Sequence, residues 1–427
     1  MSASWEATLA SFAPVFTAPS LGIFARLLCA WVLCPGRKTI TRLFGIAEPS
    51  GGRAHDAYHR FLRAGAWRMP SLWRLLALLL LAAFRPEGRV TLDLDDTLFH
   101  KSGRRVEDAA WWRDAVRSTG QHVVHAFGLN LLVLSLRVHP PWGGEPLALP
   151  LNMRLHKKGG KPLLDLAREV IGEVLSWFPN REFDLCADGF YAPLAGSLPR
   201  GVFLTSRLRR DAALFNLPPR RKEGQRGRPR RKGERLPTPL EMATARMGWR
   251  RMETGERGKA RERLALTRVA LWYWVCGETP ILVVISRDAE GRERDDFLFT
   301  TDLSASPGEV IARYAGRWAI EDTFRNVKQY LGGQDPQTWR GKGPQRAAAL
   351  SFLLYSLIWH WYIQTQGTQR SWRPLPWYQK KATPSFLDAL ASLRGALWRQ
   401  RLFPNSESPS LLPEIAECLI DVLSRAA

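Results

Sequence analysis

Cysteine is scarce in this chain. Five residues (Cys29, Cys34, Cys186, Cys276 and Cys418) are scattered over 427 positions, and their number is odd. Neither a disulfide framework nor the clustered spacing of a zinc site is present, so a reducing cytosol is expected. Long apolar runs are also missing. The best candidate, residues 72–84, is interrupted by Arg74 and falls short of the roughly 20 residues that span a bilayer. It reads as a buried helix, and no membrane partner is expected. The N-terminus has no charged segment followed by a clean apolar run, so no signal peptide is expected. Acids are outnumbered, 40 Asp and Glu against 62 Lys and Arg, for a formal charge of +22. That imbalance points to a polyanionic partner, most often nucleic acid.

What is present is aromatic and basic. Eighteen tryptophans are many, and aromatics interleaved with arginine suit base stacking, although most belong in a core. The length allows two to four domains. Residues 1–86 read as a helical N-terminal DNA-binding region, with helix-like segments at 39–47 and 54–65. His55 and His59 have the spacing of a metal pair but no third ligand in view. From 87 to 206 the texture is mixed α/β, with strands expected at 90–95, 123–138, 146–152, 183–188 and 201–206. Residues 207–285 form a basic, Pro- and Gly-bearing insertion with strands at its far end. The core resumes at 286–340, and 341–427 is helical again.

One stretch of the resumed core carries Tyr314, Arg317, Glu321 and Lys328. Ser306 as N-cap, Pro307 at the first position and Glu309 as the capping-box acid start a helix there, and Gly332-Gly333 ends it. At about 100° per residue, offsets of 3, 7 and 14 place the four polar side chains on one stripe of a straight helix over 306–331. Ile320, Phe324, Val327 and Leu331 make a neighbouring apolar stripe. Alone, the pattern equally describes a surface helix on which Glu321 pairs with arginines.

Two upstream acids change the weighting. Asp95 stands at the expected end of one strand and Asp188 at the end of another. Carboxylates from two strands and a helix can hold a pair of magnesium ions for phosphoryl chemistry.

Strand-Asp, strand-Asp, helix-Glu, with Tyr314-x2-Arg317-x3-Glu321-x6-Lys328, resembles the insertion-sequence DDE transposases that carry the YREK signature. The resemblance extends over roughly residues 90–335 and includes Cys186-Ala-Asp188-Gly-Phe-Tyr191 and the Trp318 directly after the signature arginine. The family's Asp-x-Thr at the first strand matches Asp95-Asp96-Thr97, while Asp93 shares a strand face with Asp95. The first acid therefore stays open among Asp93, Asp95 and Asp96.

The resemblance implies an α/β, ribonuclease-H-like mixed-sheet core with a β-rich insertion, flanked by helical terminal regions. It implies cut-and-paste transposition of double-stranded DNA by a homodimer in the bacterial nucleoid. Asp95, Asp188 and Glu321 would be catalytic ligands for two Mg2+ ions, with Mn2+ able to substitute. Tyr314, Arg317 and Lys328, with Trp318 beside them, would contact DNA. Relatives that form hairpins stack a flipped base on an insertion tryptophan, which makes Trp272 and Trp274 candidates.

Within the insertion, Arg226, Arg228, Arg230 and Arg231 surround an Arg-Gly-Arg-Pro sequence like the core of an AT-hook. DNA contact through these arginines is expected, sequence-specific or not. Two alternatives remain. Asp93-Leu-Asp95-Asp96-Thr97 also fits the Asp-x-Asp-x-Thr motif of haloacid-dehalogenase-like phosphatases, with Asp93 as nucleophile and Asp95 as general acid. A catalytically inactive DNA-binding relative of the transposases would explain the charge alone.

Overall fold

A computed structural model of the chain describes residues 4–220, 228–366, 372, 379–403 and 413–425. Five helices come first: α1 (Trp5–Ala10), α2 (Ala18–Leu33), α3 (Ile40–Ala47), α4 (His55–Ala64) and α5 (Met69–Phe84). The apolar α5 is buried through Leu72, Trp73, Leu76 and Leu80. No single helix among the described residues is long and apolar enough to cross a membrane.

The core sheet begins with β1 (Val90–His100), β2 (Ala110–Arg113), β3 (His125–Val138) and β4 (Leu147–His156). Helix α6 (Leu163–Trp177) leads to β5 (Phe183–Ala187), and a 3₁₀ segment, Gly189–Ser197, leads to β6 (Val202–Arg207). β3 pairs antiparallel with β1 and β4, whereas β5 and β6 run parallel to β1. An antiparallel trio followed by two parallel strands is the ribonuclease-H-like arrangement the sequence implied.

The segment after β6 adds α7 (Pro239–Met242), β7 (Arg250–Glu256), β8 (Lys259–Leu271), α8 (Tyr273–Cys276), β9 (Pro280–Asp288) and β10 (Asp296–Thr300). These strands do not form a separate sheet. β10 hydrogen-bonds to β6, and the order continues β10-β9-β8-β7. The expected boundary at 285/286 falls inside β9, which is held without a break between β8 and β10. β8 ends at Leu271, because Tyr273–Cys276 turn into a short helix packed on the 3₁₀ segment.

Two helices, α9 (Pro307–Gly316) and α10 (Ala319–Gln329), then return across the sheet, followed by α11 (Gly343–Gln366), α12 (Phe386–Leu402) and α13 (Pro413–Arg425). The Ser306–Glu309 capping box is formed, and Gly332 closes the segment at φ +52°. The single helix expected over 306–331 is instead broken at Arg317-Trp318. There the amides of Arg317, Ile320 and Glu321 bond three residues back, to Tyr314, Arg317 and Trp318. Each residue of such a tightened turn advances by about 120° instead of about 100°. The four signature residues therefore do not share one straight stripe. Ile320, Phe324, Val327 and Leu331 are buried as their spacing required.

Candidate active site

Asp95 is not at a strand end, because β1 continues to His100 under pairing from β3. It sits instead where β5 leaves: the last β1–β5 pair is Leu94 with Ala187, one residue before Asp95 and Asp188. Parallel pairing thus sets these two acids side by side. Asp188 caps the 3₁₀ segment, its carboxylate accepting from the Phe190 amide at 2.8 Å. The Ser206 hydroxyl, on the next strand, donates to the Asp188 carbonyl at 2.8 Å.

The third acid arrives from the helix break. Arg317 Nη1 donates to Asp95 Oδ2 at 2.8 Å, and Nη2 donates to Glu321 Oε1 at 2.9 Å. One guanidinium therefore joins a β1 carboxylate to an α10 carboxylate. The Glu321–arginine pair that a plain surface helix would show does exist, but the same arginine reaches the sheet.

Burial raises the Asp95 carboxyl to about 7. Arg317 opposes that rise, while the nearby charges of Asp96 and Asp188 add to it. Asp96 is also raised, by burial first, against hydrogen bonds from Tyr191 and Asn130. Its Oδ1 accepts from the Tyr191 hydroxyl at 2.8 Å. Among the described residues no three His, Cys, Asp or Glu side chains lie close enough to form a ready-made metal site. The Arg317 guanidinium stands between Asp95 and Glu321. The donor chemistry nonetheless fits a hard divalent ion: the Asp95 carboxyl is raised by burial and by the charges of Asp96 and Asp188, and its oxygen ligands share one arginine with Glu321.

Asp93 differs from its neighbours. It is fully buried and makes a two-pronged ion pair with Arg137 of β3. A carboxylate locked in this way cannot act as an exposed nucleophile, which removes the footing of the phosphatase reading.

The remaining expected residues separate into groups. The Tyr314 ring lies 5.6 Å from the Arg317 guanidinium. Trp318 is partly exposed, under the Arg257 guanidinium at 4.5 Å. Arg257 (φ +49°) and Gly258 (φ +71°) form the two-residue turn of the β7–β8 hairpin. A cavity of about 300 Å³ opens here, lined by Tyr314, Arg317 and Trp318 together with Arg207, Arg257 and Arg261. Lys328 faces another quarter. Burial lowers its pKa, and the carboxylate acting on it is Asp114, which bonds His100 at 2.9 Å.

Of the two tryptophans, Trp272 is only 4% exposed and packs edge-on against Phe299. It is a core residue and presents no face to a base. Trp274 is 70% exposed, and the Lys232 ammonium lies 4.3 Å from its ring. Arg228 and Arg230 are exposed nearby in sequence, Arg231 pairs with Glu278 at 3.3 Å, and Arg226 lies outside the described residues.

A family model for DDE superfamily endonucleases matches residues 13–267. The chain belongs to this family. The match contains Asp95 and Asp188 and stops within β8, so Glu321 reaches the site from outside it. No curated protein matches the chain. Membership makes this a nuclease-type enzyme of the kind that includes transposases, with DNA as its substrate, in a family that generally uses divalent metals. The sequence analysis did not single out Arg137 beside the candidate acids, and it named Tyr191 only within the Asp188 motif, without its bond to Asp96. Arg137 carried a usable signal, since it is one charge in the apolar run 131–138 and needed a buried partner.

Proposed function

We propose that the chain is an insertion-sequence transposase of the YREK type, cutting DNA at element ends and joining those ends to a target. The observation that carries the reading is the Arg317 bridge, which draws together Asp95 and Glu321, 226 positions apart in sequence (321 − 95), beside Asp188. Asp95, Asp188 and Glu321 would hold two divalent ions, Mg2+ with Mn2+ as substitute, supplying Lewis acidity at the scissile phosphate.

In the first step water attacks phosphorus, its proton is lost, and the 3′ oxygen leaves as a free hydroxyl. In the second, that hydroxyl attacks a phosphodiester of the partner strand or target and displaces another 3′ oxygen. One P–O bond forms for each one broken, so no outside energy source is needed. Arg317 is the chain's own phosphate clamp in this scheme. Its planar fork, now shared by two carboxylates, matches two phosphate oxygens equally well. Tyr314 and Trp318 line the adjoining arginine-walled cavity, which suits the strand next to the cut. Lys328 contacts backbone further along, on the Asp114 side. Arg226, Arg228, Arg230, Arg231 and the exposed Trp274 extend the DNA surface over the insertion. Two ends must be joined in one complex, so a homodimer on DNA is part of the proposal, as is a location on the bacterial nucleoid.

The test uses a supercoiled plasmid carrying this reading frame and its flanking DNA. The chain nicks it with magnesium, and Asp188→Asn abolishes nicking while binding DNA as the parent does. Robust magnesium-dependent nicking by Asp188→Asn would sink the assignment.

A further inference from the structure

The break between α9 and α10 coincides with a contact from β3. In an uninterrupted helix the carbonyl of Arg313 would accept from the amide of residue 317, four positions on. Here that carbonyl is taken by Arg137, whose Nη1 donates to it at 2.6 Å. The Arg317 amide turns to Tyr314 instead, and successive three-residue bonds carry the chain to Glu321. Arg137 is buried, aligned by its two-pronged pair with Asp93. It also lies against Gly316: a Cβ there would stand 2.7 Å from Arg137 Nη1. A tightened turn of three residues rotates the next helix by about 60° relative to a straight continuation.

We propose that Arg137, held by Asp93, is a positioning residue that stops α9 at Gly316 and thereby aims Arg317 and Glu321 at Asp95. Its activity readout rests on the proposed nuclease function. The pair is buried, and its hydrogen bonds join Arg137 to Asp93 and to the Arg313 carbonyl. Its role is the acceptor it removes from the helix.

The experiment compares the parent with Asp93→Leu/Arg137→Met, which replaces the ion pair with apolar side chains, an exchange that buried pairs often tolerate. Gly316→Ala perturbs the same contact from the helix side. Nicking of the plasmid is measured as kcat and KM, alongside amide hydrogen exchange over 313–329. The double variant is expected to melt near the parent and to keep its KM, while kcat falls about 100-fold, as for reacting groups displaced by about 1 Å. Exchange should change at 317–321 and stay unchanged at 324–329. Gly316→Ala should reproduce the kcat loss, and Arg137→Lys, which keeps the charge and one donor, should fall between. Parent-like kcat in the double variant, or unaltered exchange at 317–321, overturns the proposal. A uniform rise in exchange with a lower melting temperature also overturns it, since that marks a merely structural pair. If the parent itself does not nick, the nuclease reading fails, and the exchange pattern still decides the positioning role.

Discussion

Arg317 reaches Asp95 across 2.8 Å, from a helix break to the middle of β1. With its second nitrogen on Glu321 at 2.9 Å, this arginine links two of the three acids of the proposed catalytic set. It can also be exchanged from carboxylate to phosphate, because both present paired oxygens to its fork.

Removing that fork should cost catalysis more than binding. Arg317→Ala is expected to lower the plasmid nicking rate by about 100- to 1000-fold, the range seen when one donor to developing charge is lost. Arg317→Lys should recover little of it, since an ammonium cannot bond both Asp95 and Glu321 in the same geometry. Near-parent rates for Arg317→Ala would contradict the assignment.

The three neighbouring aspartates should separate by phenotype. Asp93→Asn leaves Arg137 buried and unpaired, and should destabilise the fold by about 3–5 kcal/mol in denaturant titration. Asp96→Asn keeps an acceptor for the Tyr191 hydroxyl and should cost about 1 kcal/mol or less. Asp95→Asn should abolish nicking in a folded protein. Nicking that survives Asp95→Asn but is lost in well-folded Asp96→Asn would transfer the first-acid role to Asp96.

The paired tryptophans make a contrast in one experiment. Trp272→Ala empties a core site and should cost about 3–5 kcal/mol of stability. Trp274→Ala removes an exposed ring and should shift stability by less than about 0.5 kcal/mol. It should weaken single-stranded DNA binding by roughly 1–3 kcal/mol if a base stacks there. Unchanged affinity, measured by fluorescence anisotropy, would exclude Trp274 from the DNA surface.

A pH effect on stability should come from His360. It is buried on α11, its Nδ1 has no hydrogen-bond partner among the described residues, and burial lowers its pKa to about 4. The unfolded chain takes up this proton near pH 6.5, before the folded one does. The His360 contribution is therefore complete above about 6.5 and is lost as the pH falls from there towards 4. Melting temperatures at pH 7.5 and 5.0 should differ less in His360→Phe than in the parent. An equal drop in both would rule out this origin.

Much of the fold was legible because its signals are local. The capping box at Ser306–Glu309, the glycine stop at 332, the alternating pattern at the start of β1 and the near-continuous apolar run of β3 each arise from near neighbours. The helix break at Arg317 was not legible, because its cause is a side chain on β3 that competes for one carbonyl. Nor was the direction of Lys328, which depends on where Asp114 and His100 meet at the sheet edge. The two tryptophans could not be told apart either. They are two residues apart, and a one-turn helix after β8 turns one inward and the other out.

The sequence by itself determined the chemical inventory of the proposed site: acids associated with two strands, a third on a helix, an arginine four residues before it, and a basic chain suited to DNA. Residue type and short-range spacing suffice for that, since they act through capping, periodicity and charge. Only the tertiary structure decided which aspartate is buried with Arg137 and which faces Arg317. Asp93, Asp95 and Asp96 are chemically alike and three residues apart at most. Their roles diverge only because β3 supplies a cation beneath the first, the α9–α10 break an arginine to the second, and the 3₁₀ segment a tyrosine to the third.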